Sequence, residues 1–364
     1  MKRNRIEFLF IDFDAPAGHV GFNRIWLRSL CREEEVTVTT VMPADFIDRI
    51  MSDSDLPCIK NIALPKCLCK RSLQGLPWRI FSIFRLLWIR IHVRLRSYDY
   101  VLITSFDTIS FFFGSLFMRK RCCLVCHNNI KQVAEHRMAD FCFRRLSGKH
   151  QIIVLEDYIK TFLEERNISH NAVVVHHGCP QPFGEDSCRA VPRWFDDLRK
   201  KYKKIIFSPS ATSTGSFWND FLKDPDFVRF LDRSDSVFVV RTSADYPVRK
   251  GFFPVKNRLS DAEYAAVFSA SDAILIAYPS SFVYRTSAVL YEAIANRKEL
   301  LVYSNPAMIP YRAIVGEDVF FDDTVGLCAI LNGISKNNQE MTRFIPEEVK
   351  TPRIYSGIMK GFEQ

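Results

Sequence analysis

Long apolar runs are absent from this sequence: no uninterrupted stretch approaches the ~20 residues that an α-helix needs to cross a bilayer. Internal repeats and low-complexity segments are absent as well. A secretory signal is also missing, because the basic start, residues 1–5, is followed by Glu7, Asp12 and Asp14 within only a short apolar run. These absences exclude a helical membrane-spanning protein and lead us to expect a cytoplasmic one.

What the sequence does contain is the composition of a globular protein. Of its 364 residues, 48% are apolar, 25% charged and 13% aromatic, which excludes disorder, collagen and coiled coil. The length exceeds what one hydrophobic core usually supports and predicts two domains. The net charge of +9 allows nucleic acid, anionic lipid or a phosphorylated substrate, without choosing among them. The 11 cysteines, an odd number that lies mostly in apolar runs, are interpreted as buried thiols rather than as a disulfide framework.

Short β-branched runs alternate with helix-length segments along both halves of the chain. The strands predicted in the first half are Ile6 to Phe13, Val36 to Val41, Tyr100 to Thr104, Cys122 to Cys126, Ile152 to Leu155 and Val173 to Val175. Those predicted in the second half are Ile205 to Phe207, Val237 to Val240, Ala273 to Ala277 and Leu300 to Tyr303. The order is typical of parallel α/β domains and predicts domains at 1–200 and 201–345, with 346–364 as a tail that packs back on the first. Ligands of open α/β sheets bind beyond the carboxyl ends of the strands, so we expect a cleft there and look for functional residues directly after strands.

Three such residues, Arg285, Thr286 and Ser287, open a predicted helix after the strand Ala273 to Ala277. A helix start offers free backbone N–H groups and the positive end of its dipole, and the arginine adds a fixed charge. The segment therefore suits a phosphate. An ordinary N-cap beside a surface arginine is the alternative interpretation.

The sequence around this helix resembles the nucleotide-sugar-binding half of GT-B glycosyltransferases, especially family 4. The likeness is carried by Ser260-Asp261-Ala262-Glu263, Ser271-Asp272-Ala273, Tyr278-Pro279 and Arg285-Thr286-Ser287-Ala288-Val289-Leu290-Tyr291-Glu292-Ala293-Ile294-Ala295. The resemblance implies the α/β fold called GT-B, two Rossmann-like domains with a cleft between them. It also implies that residues 285–287 face the donor diphosphate and that Glu292 binds the donor ribose.

The chain departs from the family pattern at several positions. Tyr284 stands where the family usually has an acidic residue against the donor sugar. After the first strand of the second half, a hydroxyl-rich stretch that includes Ser210 and Thr212 replaces the usual basic pair. Arg241, at the end of the next strand, is a candidate replacement cation, or else a solvated strand-end arginine. Leu259 ends the stretch that the resemblance assigns to the nucleotide base.

The first half also carries candidates that follow strands. His127 and Asn128 come directly after the strand Cys122 to Cys126, where the family has a histidine near the transferred sugar. Histidine can donate or accept a hydrogen bond near neutral pH, and a structural histidine that closes the strand is the alternative. Gly18 and His19 lie in the first turn, where such enzymes bring the acceptor close to the backbone. No Walker loop or dinucleotide fingerprint is present at that turn.

A metal site is not expected. Cys123, Cys126 and His127 have a spacing that suits two zinc ligands, but no second close pair of cysteine or histidine completes the set. The resemblance likewise implies no metal and no cofactor apart from the nucleotide-sugar co-substrate.

Residues 66–96 combine basic and apolar side chains. A helix is predicted over 76–97, with one apolar face made of Ile80, Phe84, Leu87, Trp88, Ile91 and Leu95. Its edges carry Arg79, Arg85, Arg90, His92, Arg94 and Arg96. Two interpretations stay open: a helix that settles on an anionic membrane, or a core helix whose arginines reach solvent.

Together these features predict a glycosyltransferase. We expect it to move a sugar from a nucleotide-sugar donor to a hydroxyl of a glycan or lipid-linked acceptor, in surface polysaccharide synthesis and at the inner face of the membrane. The family likeness implies retention at the anomeric carbon. A GT-B protein that binds sugar nucleotides without catalysis is one alternative. A nucleic-acid-binding protein is another, which the absence of any nucleic-acid motif disfavours.

Overall fold

The structure is a computed structural model, and it describes residues 5–15, 19–52, 56, 59–69, 75–116, 118–169, 171–184, 191–210, 215–256, 259–333 and 351–363. The chain divides into two compact units. The first comprises Met1–Gly178, Tyr284–Thr286 and Glu347–Gln364, and the second comprises Cys179–Val283 and Ser287–Pro346. The boundary predicted from the sequence lies at residue 200, whereas the second unit begins at Cys179.

The first unit is built on a parallel sheet of seven strands, in the order β3-β2-β1-β4-β5-β6-β7. The strands are β1 Ile6–Ile11, β2 Val36–Met42, β3 Lys60–Ala63, β4 Tyr100–Ile103, β5 Cys123–Cys126, β6 Gln151–Val154 and β7 Ala172–Val174. The helices between them are α1 His19–Cys31, α2 Ala44–Met51, α3 Gly75–His92, α4 Thr108–Ser115, α5 Asn129–Glu135, α6 Arg137–Ser147 and α7 Asp157–Glu165.

Both faces of this sheet are covered, as the strands' continuous apolar sequences require. In β1, Leu9 and Ile11 join one core cluster, whereas Phe8 and Phe10 join the other. Successive side chains of a strand point to opposite faces, so one short strand supplies both layers.

The last helix of the chain belongs to the first unit and packs on its sheet. This helix, called α15, spans Ile354–Glu363. Ile354 and Ile358 are fully buried in the cluster of Phe8 and Phe10. The approach is close, because a Cβ on Gly357 would lie 2.7 Å from Cγ2 of Val175.

The second unit is a parallel sheet of six strands, in the order β10-β9-β8-β11-β12-β13. The strands are β8 Lys204–Ser208, β9 Ser236–Arg241, β10 Phe252–Val255, β11 Ala273–Ile276, β12 Glu299–Tyr303 and β13 Phe320–Phe321. Its helices are α8 Arg193–Lys201, α9 Gly215–Phe221, α10 Pro225–Arg233, α11 Asp261–Ala270, α12 Ala288–Ala295, α13 Arg312–Val315 and α14 Thr324–Gly333.

Both sheets have the doubly wound order, in which the chain reverses direction across the sheet beside its first strand. The reversal lies between β1 and β4 in the first unit and between β8 and β11 in the second. Ligands of such sheets bind at this switch point, beyond the carboxyl ends of the strands. The predicted α/β class, with a parallel sheet in each half, is confirmed. A ligand at the switch points would lie against the residues that follow β1, β8 and β11.

Candidate functional site

A buried carboxylate follows β1 at the switch point of the first unit. Asp12 is fully buried, and its side chain accepts hydrogen bonds from the Ala15 backbone N–H at 2.8 Å and from Asn23 Nδ2 at 2.7 Å. His19 Nδ1 lies 3.3 Å from Asp12 Oδ2. A carboxylate can only accept, so this contact holds the proton on Nδ1 and leaves Nε2 of His19 able to accept.

His19 belongs to a cluster of imidazoles. Its ring centroid is 4.4 Å from that of His127, and the Phe22 ring meets His127 edge-on at 4.4 Å. Phe22 also lies 5.2 Å from His177, whose Nδ1 is 2.9 Å from the Gly178 carbonyl oxygen. The fold thus brings together the two histidines singled out from the sequence, His19 and His127, and adds His177, Asp12 and Asn23 to them.

Burial keeps the imidazoles of His127 and His177 neutral. It lowers the pKa of His127 well below its ordinary value, and the neighbouring His19 and His177 lower it further. Burial also lowers the pKa of His177 to about 4. Nε2 of His127 is buried and has no hydrogen-bond partner among the described residues. A polar atom buried in this way is a site where a ligand's hydroxyl would be favourable.

Two other candidates of the first unit are placed differently. Asn128 is exposed and stands at the N-cap of α5, where its side chain makes no capping hydrogen bond. The next residue, Asn129, is the buried one, and its Nδ2 donates to the Phe106 carbonyl oxygen at 2.8 Å. Gly18 lies outside the described residues.

A second polar cluster, half-buried, surrounds Glu292 of α12 in the second unit. Tyr264 of α11 donates its hydroxyl to Glu292 Oε2 at 2.5 Å. Burial raises the pKa of Glu292 to about 7, against the opposing effects of the Tyr264 hydrogen bond and the Arg241 charge. Burial and the neighbouring carboxyl raise the pKa of Tyr264 well above its usual value, so the phenol remains the donor.

Arg241, at the end of β9, supplies positive charge to the Glu292 cluster. Its guanidinium carbon lies 5.9 Å from the ring centroid of Tyr264, and its Nη1 donates to the Pro209 carbonyl oxygen at 3.4 Å. A solvated strand-end arginine was the other interpretation of the sequence. The arginine is instead half-buried and packs against the Tyr264 ring.

The start of α12 is held by hydroxyl contacts at the switch point. Ser287 is fully buried and caps the helix by accepting from the Leu290 N–H at 3.1 Å. The Tyr278 hydroxyl lies 3.0 Å from Ser287 Oγ. Ser210, which follows β8, donates its hydroxyl to the Tyr278 hydroxyl oxygen at 3.3 Å. The Ser287 side chain is thus used inside the chain, and a ligand at this helix start would meet its backbone N–H groups rather than that hydroxyl.

The three residues before Ser287 pack with the first unit. Tyr284, with a left-handed φ of 53°, lies 4.2 Å from the Phe162 ring. The Tyr158 hydroxyl donates to the Arg285 carbonyl oxygen at 2.8 Å. The Thr286 hydroxyl is buried without a hydrogen-bond partner in the described parts of the chain.

The remaining predicted residues of the second unit lie near α11. Leu259 is buried and directly precedes Ser260, the N-cap of that helix. Ser260 Oγ accepts from the Glu263 N–H at 3.2 Å, and the Glu263 carboxylate accepts from the Ser260 N–H at 2.8 Å. The acidic turn read from the sequence is therefore a capping box that sets the start of the helix carrying Tyr264. Thr212 lies outside the described residues.

Sequence reasoning missed Asp12, Asn23 and Tyr264 as site residues. Asp12 carried a usable signal, since an acidic residue that ends a buried apolar strand needs partners. Tyr264 carried none, because its pairing with Glu292 depends on the packing of α11 against α12.

The basic segment 66–96 differs from its sequence interpretation. The inner side of α3 buries Ser82, Arg85, Leu86 and Ile89, whereas Ile80, Phe84 and Ile91 of the predicted apolar face are exposed. Arg85 is only 2% exposed and pairs with Asp14, Nη1 to Oδ1, at 2.6 Å. One interpretation of the sequence was a core helix whose arginines all reach solvent, and the burial of Arg85 shows that this is wrong for that residue. Lys70 and Arg71, just upstream, lie outside the described residues.

Neither a spanning helix nor a metal-ligand cluster is found in the described parts of the chain. No helix there is long and apolar enough to cross a bilayer. No group of three or more histidine, cysteine, aspartate or glutamate side chains there could hold a metal ion. Burial raises the pKa of the Cys123 and Cys126 thiols, which makes them poor thiolate ligands.

Solved structures share this fold over almost the whole chain. A glycosyltransferase from Rickettsia africae superposes with a TM-score of 0.56 and 14% identity over 99% of this chain and 94% of its own. The Anabaena protein HepE in complex with UDP-glucose gives 0.59 and 10% over 99% and 98%. A UDP-GlcNAc 2-epimerase from Neisseria meningitidis bound to UDP-GlcNAc gives 0.54 and 11% over 99% of both chains. The predicted GT-B fold is thereby confirmed.

Sequence comparison adds nothing to this structural likeness. No protein-family model matches the chain, and no curated protein matches it by sequence. The resemblance to family 4 in particular therefore stays a prediction.

Proposed function

We propose that the protein is a glycosyltransferase that takes a sugar from a nucleoside-diphosphate sugar and transfers it to a hydroxyl of a glycan or lipid-linked acceptor. The observation that carries the proposal is the half-buried Glu292 cluster beside the switch point of the second sheet. A carboxylate held by Tyr264 can accept hydrogen bonds from both ribose hydroxyls, as acidic residues do in other sheets of this order. The GT-B fold supports a nucleotide-sugar ligand.

The donor diphosphate would be bound without a metal. Arg241 and Arg285 supply positive charge, and the backbone N–H groups that open α12 supply a helix-terminus anion site. These groups would stabilise the charge that develops on the leaving diphosphate. Turnover is therefore expected to be unchanged by EDTA, and a loss restored by Mg²⁺ would contradict this part of the proposal.

The imidazole cluster of the first unit would receive the acceptor. In the proposed step the acceptor oxygen bonds to the anomeric carbon while the bond from that carbon to the diphosphate oxygen breaks, and the acceptor proton leaves with the diphosphate. His19 Nε2, left able to accept by Asp12, would orient the acceptor hydroxyl, and His127 would contact the transferred sugar. In this course the acceptor approaches from the face that the diphosphate leaves, so the anomeric configuration is retained. An inverted product would instead make His19 the general base.

The setting we propose is surface polysaccharide synthesis at the cytoplasmic face of a membrane. A lipid-linked acceptor would be met there by the basic, apolar segment 66–96, whose helix α3 exposes apolar side chains. Arginines beside exposed apolar residues favour contact with anionic headgroups.

A thermal-shift panel with UDP, GDP, ADP and CMP tests the donor site and identifies the base. A ligand at 100 times its Kd stabilises the folded state by about 2.7 kcal/mol, which is readily measured. We expect one nucleoside diphosphate to stabilise the wild type and to lose that effect in Glu292→Gln. No stabilisation by any of the four would contradict the proposal.

A UDP-sugar epimerase is the second candidate, favoured by the 2-epimerase structures that share the fold over almost the whole chain. Incubation with UDP-GlcNAc and no acceptor separates the two activities. Conversion to a second UDP-sugar would identify an epimerase, whereas release of UDP that depends on an added acceptor would identify a transferase. Binding with neither reaction would leave a non-catalytic sugar-nucleotide protein.

A further inference from the structure

Exposed large apolar side chains are concentrated on one part of the first unit. Eleven are exposed in the described residues, and eight of these lie on α3, on α6, or on α4 and the residue after it. The eight are Leu76, Ile80, Phe84, Ile91, Phe113, Leu116, Met138 and Phe141. The other three, Val248, Ile309 and Val325, belong to the second unit. Exposed apolar residues scattered singly are ordinary, whereas a concentration of this kind marks an interaction surface.

The three helices are direct neighbours, so the eight side chains share one region. A Cβ on Gly114 of α4 would lie 2.6 Å from Leu86 Cδ1 of α3, which shows how closely those two helices approach. Phe112 of α4 meets Phe141 of α6 edge-on, with ring centroids 6.1 Å apart. We call the eight exposed side chains the α3–α4–α6 face.

The charge around this face is positive. Neither α3 nor α4 contains an acidic residue. In α6 the single acidic residue, Asp140, accepts a hydrogen bond from Arg144. Exposed arginines stand on the same helices: Arg90 on α3, and Arg137, Arg144 and Arg145 on α6. The Arg145 guanidinium lies 5.5 Å from the centroid of the Phe141 ring, the arrangement of an arginine whose stem lies along apolar surface while its head stays in water.

We propose that the whole α3–α4–α6 face docks on an anionic lipid bilayer. Apolar side chains would enter the boundary between headgroups and acyl chains, and the surrounding arginines would pair with the phosphates. The proposal goes beyond the membrane contact suggested for segment 66–96, because half of the face lies on α4 and α6. It rests on the proposed function only for its purpose, the capture of a lipid-linked acceptor.

The combination of apolar area and positive charge favours a bilayer over other occupants. A second copy of the same face would bring arginines against arginines, and like charges at a desolvated interface repel. A nucleic acid would place eight apolar side chains against a phosphate backbone. A bilayer surface with anionic headgroups offers both an apolar layer and negative charge.

Vesicle flotation of the full-length protein tests the proposal. We expect binding to phosphatidylcholine vesicles that contain about 30% phosphatidylglycerol, little binding to phosphatidylcholine alone, and weakening as salt is raised. The double variant Phe113→Ser/Phe141→Ser, outside residues 66–96, should weaken binding about tenfold per side chain, since each ring loses its burial in the bilayer. The matched control is Ile309→Ser/Val325→Ser, which removes two exposed apolar side chains of the second unit and should bind as the wild type does.

Several outcomes would overturn the proposal. These are absence of flotation with either lipid, equal loss in both double variants, and unchanged binding in Phe113→Ser/Phe141→Ser. A dimer in sedimentation that this variant converts to monomer would assign the face to a second copy instead. All four residues are exposed, so the thermal midpoint should stay near that of the wild type and show that the variants fold. The nucleotide thermal shift separates the proposed docking on a bilayer from the proposed transferase function. A protein that binds vesicles but no nucleotide would contradict only the function, and one that binds a nucleotide but no vesicles would contradict only the docking.

Discussion

Each of the two sheets ends in a polar cluster, and the titratable groups whose pKa burial shifts are bases in the first unit and an acid in the second. In the first unit the cluster is made of imidazoles, and burial lowers the pKa of His127 and His177. In the second unit it is built around a carboxyl group, and burial raises the pKa of Glu292 to about 7. One physical cause, removal from water, moves bases down and acids up.

The difference gives the two clusters opposite responses to pH. Buried neutral imidazoles cost stability below pH 6.5, because the unfolded chain then binds protons that the folded chain excludes. A carboxyl group whose pKa is raised costs stability above its unfolded value, since the folded chain then holds a proton that the unfolded chain has released. Near neutral pH the imidazoles of His127 and His177 are neutral, whereas Glu292 is close to its own pKa, so a ligand at the second cluster would meet a group whose charge responds to it.

The largest expected effect is on stability in the second unit. In the wild type, stability from Glu292 is lost as pH rises from its unfolded pKa of 4.5 through its folded pKa of about 7. Glu292→Gln removes this loss, so the variant should gain on the order of 3 kcal/mol relative to the wild type between pH 5 and pH 8. Urea unfolding midpoints at several pH values measure the gain, and parallel curves for the two proteins would contradict it.

The next effect separates turnover from donor binding. His127→Ala should lower kcat on the order of 100-fold while affinity for the nucleoside diphosphate stays within about twofold, because His127 is proposed to contact the transferred sugar and Glu292 the ribose. His150→Gln is the matched control, since His150 is also buried with a pKa lowered to about 4, yet its Nδ1 accepts from the Cys122 backbone N–H. Steady-state kinetics and calorimetry make the comparison. An equal loss in both variants would reduce His127 to a structural role.

A somewhat smaller effect is expected on donor affinity itself. Glu292→Gln removes a charged acceptor from the ribose and should weaken nucleotide binding about 30-fold at pH 8. Glu263→Gln, on the adjoining helix, changes the same residue type in the capping box and should leave affinity unchanged, because glutamine also completes a capping box. Titration calorimetry of both variants tests the assignment, which fails if Glu263→Gln weakens binding as much.

The smallest effect concerns the phenol that holds the carboxylate. Tyr264→Phe removes a hydrogen bond that lowers the pKa of Glu292, so the pH midpoint of donor affinity should rise by about one unit. Tyr246→Phe, which removes a hydroxyl bonded to Asn219 elsewhere in the second unit, should leave that midpoint in place. A midpoint that moves in neither variant would show that Tyr264 does not tune Glu292.

Sequence patterns predicted the buried strands well and the edges poorly. The apolar runs of β1, β5 and β11 were found because strands buried on both faces are nearly continuous in apolar residues. The strands β3, β10 and β13 were not predicted from the sequence, and the reason is visible for β3 and β13. β3 lies at a sheet edge with no buried residue, and β13 has only two residues.

For the candidate sites, the sequence predicted individual residues at the ends of strands but not which of these residues lie close together. His19 and His127 could each be proposed because each follows or opens an element, but the distance between their rings depends on the order of strands in the sheet. The orientation of α3 was mistaken because this helix has apolar residues on several sides, so periodicity alone does not choose the face that packs. The burial of Arg85 depends on its partner Asp14, which lies in a distant loop.

The pair between Arg85 and Asp14 ties the outer helix to the base of the imidazole cluster. Arg85 Nε also donates to the Leu68 carbonyl oxygen at 2.7 Å, and Asp14 stands two residues after Asp12. Separating such a pair would leave a charge buried without its partner, at a cost of roughly 3–5 kcal/mol. α3 is thus anchored to the residues that follow β1, so a force that displaces the helix would also displace the end of that strand.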